Sequence, residues 1–234
     1  MWYRLKSRVS EQNVDELKRR LDRMELAGKC DGMFYKSFFI DGKSGESNLD
    51  LLRQIHFDVW PELVGAVAFK LPALDHASLL IKNPGSAATG LHQDRAYWQT
   101  REAKPTIFSV WIALDDMRET LGGLMLSQCN EIDICSLNKF NTGSLFEHEE
   151  VDTENVSGEF PLLISSAFAS DIEESMRFID LKKGEAIAFD SFEPHMTRAN
   201  TETNRRFAMK IAYCEGWERD GYLTQTESLE NNLW

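Results

Sequence analysis

The run "RRFAMKIAYC" (205–214) constrains the fold more than any other stretch of the chain. On an extended backbone, Phe207, Met209, Ile211 and Tyr213 share one face, leaving Arg206, Ala208, Lys210 and Ala212 on the other. Large apolar side chains on one side require a packed core. Small residues and cations on the other require water or a polar cavity inside a barrel. The run "PTIFSVWIALD" (105–115) divides similarly, with Phe108, Val110, Ile112 and Leu114 opposite Ile107, Ser109, Trp111 and Ala113. Strands that border two environments belong to a layered β-structure.

Other short strands fit the same architecture: "DHASLLIKN" (75–83), "GGLMLS" (122–127), "MRFIDL" (176–181) and "EAIAFDS" (185–191). Turn signals at Asn83-Pro84-Gly85, Gly122-Gly123 and Lys183-Gly184 separate them. Two helices precede the strands. Residues 10–27 form an amphipathic helix capped by Ser10, with Val14, Leu17, Leu21 and Met24 on one face and Gly28 at its end. A second runs from about 47 to 60, where Pro61 interrupts the pattern. Helices first and strands after predict an antiparallel barrel or sandwich with helices packed outside. The polar, irregular stretch 128–175 has the length of a lid or binding loop. With no repeat, low-complexity tract or linker, the 234 residues are expected to form one domain: a helical part over about 1–70 and a β core over about 74–215.

Charge narrows the partners. A formal net charge of −12 argues against nucleic acid and against anionic membranes as partners, leaving a small molecule. No apolar run approaches the ~20 residues that span a bilayer, and the start lacks the apolar segment of a secretory signal. Cys30, Cys129, Cys135 and Cys214 form no CxxC pair and read as reduced thiols. The expectation is a cytoplasmic protein, monomeric or homodimeric.

The stretch "TGLHQDRAYW" (89–98) holds His92 and Asp94, which point the same way on an extended backbone and can reach one ion. Such a pair alone is weak. Its weight grows with His195, which has a proline in front and a polar loop behind. Two imidazoles and a carboxylate suit a divalent first-row metal and match the facial triad of non-haem iron oxygenases. Eleven residues on, Arg206 could grip a carboxylate bidentately while Thr197 adds a hydrogen bond. A surface cation on an edge strand is the alternative for Arg206.

The motifs "HQDRAYW", "VWIALDDMRETLGGLML", "LKKGEAIAFDS" and "PHMTRANTETNRRFAMKIAY" resemble, in order and spacing, those of the phytanoyl-CoA dioxygenase-like (PhyH) family of Fe(II)/2-oxoglutarate-dependent oxygenases. The resemblance covers roughly residues 74–215. It implies a mainly β double-stranded β-helix (jelly roll, cupin-like) with flanking α-helices. It also implies His92, Asp94 and His195 as iron ligands, Arg206 as the clamp on the far carboxylate of 2-oxoglutarate, and Thr197 and Trp111 in the co-substrate pocket. Arg205 is the rival of Arg206, although it shares a face with Phe207 and Met209. The implied activity is hydroxylation of a small molecule, an amino acid derivative or specialised metabolite, using Fe(II), 2-oxoglutarate and O2 and releasing succinate and CO2. Desaturation, epoxidation and ring formation stay open on the same scaffold. Where the family carries Pro-Gly-Ser-His after "GGLML", this chain has "SQCNEI", and 128–175 has no counterpart.

Tyr97, Trp98, Phe192 and Met196 flank the ligands closely enough to line the substrate side, with core packing as the alternative. Gln93 and Arg95 alternate away from the ligands. Lys82 could enter the cleft but is expected to face solvent. His56 is expected to pack in its helix, His76 to begin a strand, and His148 to lie exposed in an acidic run. Asp115 and Asp116 suit a turn. Two other classes compete: a cupin-type metal enzyme without 2-oxoglutarate, which would have no need of a buried carboxylate clamp, and a binding module that kept the barrel and lost the chemistry.

Overall fold

The computed structural model describes residues 1–26, 34–35, 48–67, 72–98, 107–140, 142–151 and 161–215. Gly28, Cys30 and the Trp98 side chain lie outside the described residues. Helix α1 spans Glu11–Leu26, and the Ser10 Oγ accepts the Asn13 N–H at 3.2 Å, as a cap should. Its stripe of Val14, Leu17, Leu21 and Met24 is buried.

Helix α2 spans Leu49–Leu63 and runs through Pro61 instead of stopping before it. Proline removes one N–H from the ladder, but other contacts hold the last turn. The Val64 N–H bonds the Trp60 carbonyl at 2.9 Å, and Leu63 is fully buried. Glu62 accepts the Tyr3 hydroxyl (2.6 Å) and the backbone N–H groups of Lys6 (2.9 Å) and Ser7 (2.6 Å). Tertiary anchoring overrides the local signal.

The strands, in chain order, are β1 (Trp2–Arg4), β2 (Phe34–Tyr35), β3 (Pro72–Lys82), β4 (Thr89–His92), β5 (Ile107–Ala113), β6 (Leu124–Ser127), β7 (His148–Glu150), β8 (Leu162–Ile164), β9 (Met176–Phe178), β10 (Ala186–Asp190), β11 (His195–Thr197) and β12 (Arg206–Glu215). They form a six-stranded sheet, β1-β10-β5-β12-β3-β2, a four-stranded sheet, β4-β11-β6-β9, and a β7-β8 hairpin. From β3 to β6, and again from β9 to β12, the chain alternates between the two larger sheets, while β6 and β9 pair within the four-stranded one. The result is a jelly roll, mainly β, with α1 and α2 packed on the six-stranded sheet.

Each face of β12 meets the environment its pattern called for. Met209, Ile211 and Tyr213 join Phe108, Val110 and Ile112 in the core beneath α1 and α2, with Phe207 packed at its edge. Ala208 turns inward to Trp111, Ala113, Leu124, Leu126, Ile187 and Phe189, between the sheets.

The described residues of the stretch 128–175 carry more regular structure than expected. It contributes the β7-β8 hairpin and helix α3 (Ser166–Ser175). The hairpin lies against β4 so closely that a Cβ at Gly90 would sit 2.6 Å from Leu163 Cδ1.

Candidate functional site

His92 is the last residue of β4, and Asp94 opens a 3-10 turn, Asp94–Trp98. The pair therefore converges because the strand stops between them, not because the strand alternates through both. The turn is tied down by the Arg95 N–H to the Ser191 carbonyl, at 2.9 Å. Antiparallel pairing of β11 with β4 sets His195 opposite His92, with ring centroids 4.2 Å apart. One ligand atom from each of His92, Asp94 and His195 lies within 4.8 Å of the others, and all three residues are buried.

Both imidazoles are oriented for metal. His92 Nδ1 donates to the Gly90 carbonyl (2.8 Å) and His195 Nδ1 to the Glu193 carbonyl (2.9 Å). These bonds fix the tautomer and leave each Nε2 with a lone pair. Burial, then the neighbouring His195, pushes the His92 ring down to about 3. Burial likewise lowers His195. Both rings are neutral near physiological pH, the form that ligates metal. His195 Nε2 stands 3.7 Å from Asp94 Oδ1, too far for a hydrogen bond.

Burial alone would raise the Asp94 carboxyl. The Lys210 ammonium, together with the neighbouring His195 and His92, outweighs it and holds the group below the usual carboxylate range. Lys210 Nζ donates to Oδ1 at 3.0 Å and Oδ2 at 3.1 Å, and Ser109 Oγ donates to Oδ2 at 3.0 Å.

Arg206, on the same face of β12, pairs in register with Lys82 of β3. It is buried, its Cζ lies 5.8 Å from the centroid of the Trp111 ring, and its Nε and Nη1 have no hydrogen-bond partner. Burial lowers this guanidinium to about 10, against the pull of Asp115. Thr197 Oγ1 is also buried without a partner. Orphaned donors of this kind cost free energy unless a ligand meets them. A guanidinium and a hydroxyl together fit a carboxylate. Arg205 instead stacks over Phe207, its Cζ 4.8 Å from the ring centroid, on the helix side of the sheet.

Lys82 does not face solvent. It is buried, donates to the Ala87 carbonyl, and is lowered to about 7 by burial and then by Arg206. Its stem crosses the turn at Gly122 (φ +87°), where a Cβ would come within 2.7 Å of Lys82 Cδ.

Of the residues expected on the substrate side, half-buried Tyr97 stands edge-on to His92, ring centroids 6.0 Å apart. Its hydroxyl donates to the Leu162 carbonyl and accepts the Leu162 N–H, both at 3.0 Å. Half-buried Phe192 packs on the Gly143 backbone. Met196 is not brought to the site. Lying between His195 and Thr197, it packs beside Leu91, Met125, Ile164 and Met176.

Four contributors escaped the sequence reading: Lys210, Ser109, Gln93 and His148. The first two carried a signal, since each sits on a cavity-facing strand position. Gln93, fully buried, donates to the carbonyls of Ser144 (2.9 Å) and Phe192 (2.5 Å) and accepts the Phe146 N–H (2.8 Å). His148 is half-buried, not exposed; its Nε2 accepts the Gln93 N–H at 3.3 Å. His56 is fully buried, its Nδ1 2.9 Å from the Tyr213 hydroxyl. No described helix is long and apolar enough to cross a membrane.

Among solved structures, the chain is similar to EvdO2 from Micromonospora carbonacea var. aurantiaca complexed with 2-oxoglutarate, at 18% identity over 92% of this chain and 86% of that one, with a TM-score of 0.60. It is also similar to the non-heme alpha ketoglutarate dependent carbocyclase SnoK from nogalamycin biosynthesis, at 16% identity over 97% and 86% of the two chains and a TM-score of 0.64. A third likeness is to EctD from S. alaskensis with 2-oxoglutarate and 5-hydroxyectoine, at 13% identity over 93% and 73% and a TM-score of 0.58. At these identities the likeness speaks to the fold. No curated protein matches the sequence. The Phytanoyl-CoA dioxygenase (PhyH) family profile matches residues 4–128, more than half the chain. On that match the chain belongs to the phytanoyl-CoA dioxygenase family of Fe/2-oxoglutarate-dependent oxygenases.

Proposed function

We propose that this protein hydroxylates a small molecule, an amino acid derivative or specialised metabolite, with His92, Asp94 and His195 holding Fe(II) and Arg206 holding 2-oxoglutarate. The observation that carries the proposal is the convergence of the three ligand atoms within 4.8 Å beside a buried guanidinium with unmet donors. Iron in that site supplies the activation of O2 that couples conversion of 2-oxoglutarate to succinate and CO2 with oxidation of the substrate.

The chain's own residues orient the reactants. Asp94 brings the one negative charge among the ligands, and Lys210 and Ser109 keep its carboxylate from rotating. A carboxylate at this position fills the place a halide would need, so hydroxylation is favoured over halogenation. Arg206 would take the far carboxylate of the co-substrate through two N–H groups, with Thr197 donating a further bond. Trp111, Leu126 and Phe189 line the inter-sheet space with apolar surface and exclude water. Tyr97 and Phe192 would form the substrate side.

Fe(II) and 2-oxoglutarate added anaerobically should give a visible charge-transfer band, and oxygen should then yield succinate. Band and succinate both absent from metal-loaded protein would return the choice to the cupin-type alternative. A product heavier by one oxygen atom marks hydroxylation. An isomer, or a product lighter by two hydrogens, would instead fit an epimerase such as SnoN or a carbocyclase such as SnoK.

A further inference from the structure

The inner face of the six-stranded sheet is rich in cations, and the charge is unevenly spent. Among the described residues, β12 presents Arg206 and Lys210 and β3 presents Lys82, all buried. Asp94 is bonded by Lys210, and Asp115 acts on Arg206. Asp75, on β3, is bonded by His76 Nδ1 at 2.8 Å.

The proposed chemistry uses Lys210 only to orient Asp94 and gives its charge no task. Its ammonium lies within 3.1 Å of both oxygens of the carboxylate that a metal must use. A cation of charge two drawn to Asp94 therefore enters within a few ångströms of a fixed positive charge, in a site shielded from water. At such a separation Coulomb repulsion is worth orders of magnitude in affinity. A dianionic co-substrate held by Arg206 would reverse the balance by bringing two negative charges to the same site.

Resting on the function proposed above, we propose that Lys210 is a positioning residue that makes metal retention conditional on 2-oxoglutarate. Its ammonium weakens the divalent ion bound alone, and the dicarboxylate restores the affinity. By reciprocity, the metal must tighten 2-oxoglutarate by the same factor.

Mn(II) serves as the probe, its free concentration read by electron paramagnetic resonance with and without saturating 2-oxoglutarate, using the full chain. The wild type should bind Mn(II) roughly tenfold or more tightly when 2-oxoglutarate is present, within the ordinary range of site-to-site coupling. Lys210→Met should bind Mn(II) alone more tightly than wild type by a similar factor and lose most of the coupling. Lys210→Arg, which keeps the charge, should keep the coupling. Circular dichroism checks each variant, and Lys210→Gln replaces the methionine variant if that one does not fold. The inference is overturned if neutral variants bind Mn(II) alone no more tightly, or if their coupling equals that of wild type. Mn(II) and 2-oxoglutarate binding to wild type without coupling would sink this inference and leave the oxygenase proposal standing; failure of both to bind would sink the two together.

Discussion

The two ends of the inter-sheet cavity are built from similar groups and left in opposite states. At the metal end, Asp94 is satisfied by Lys210 and Ser109, and both histidines are oriented by carbonyls. At the far end, Arg206 and Thr197 are buried with donors unmet. A satisfied buried charge pair is costly to break. An unsatisfied buried cation is costly to keep. The first end is thus preorganised by the fold, and the second is left open for the co-substrate proposed above.

The contrast can be broken experimentally, and the largest effect belongs to the metal end. Asp94→Ala should abolish metal binding and reduce succinate formation by roughly a thousandfold or more, as expected when a ligand and its preorganised charge are lost. Retained turnover would remove Asp94 from the ligand set. Arg206→Met should come next, weakening 2-oxoglutarate by about two orders of magnitude, the worth of two charge-assisted hydrogen bonds. Calorimetry would check it, and unchanged affinity would point to Arg205.

Stability sharpens the comparison, because the two ends should respond with opposite sign. Without ligands, Lys210→Met should lower stability by about 3 kcal/mol, since it strands a buried carboxylate. Arg206→Met should leave stability unchanged or raise it, since it removes an unpaired buried cation. Urea unfolding of the two variants would decide, and equal losses would erase the distinction.

The smallest effect is a pH dependence of several-fold at most. Lys82, pushed down to about 7, would be favoured in its charged form by a dianion beside Arg206. Co-substrate affinity should therefore be full below that pH and fall as pH rises through it. Lys82→Met should flatten the profile.

Much of this was legible in one sequence because strand alternation is a strict period. The two faces of β12 and β5 could be assigned residue by residue, and the jelly roll followed. The ligand trio could be named, but not the reason His92 and Asp94 converge. That depends on the strand ending at His92, which Gln93 and Arg95 enforce through bonds to distant carbonyls. Lys210 was placed on the inner face, yet its pairing with Asp94 spans 116 positions and leaves no local mark. Lys82 looked solvent-directed because nothing nearby announces the Gly122 turn that covers it. Pro61 misled for a related reason, its helix being held by Glu62 acting on the chain's first residues. The hairpin within 128–175 lacks hydrophobic alternation, since β7 is His148, Glu149 and Glu150. Its anchors, Tyr97 and Gln93, are polar groups reaching from elsewhere.

Gln93 has a wider consequence. One carboxamide clasps the segment at 144–146, the loop leading to His195, and the motif that carries His92 and Asp94. The wall proposed to face the substrate and the three candidate iron ligands therefore share a hinge pin. Remodelling that wall to admit a bulkier guest would disturb the cradle unless the clasp is rebuilt with it, so altered tastes in this scaffold should arise more readily at side chains beyond the pin than by wholesale exchange of the hairpin.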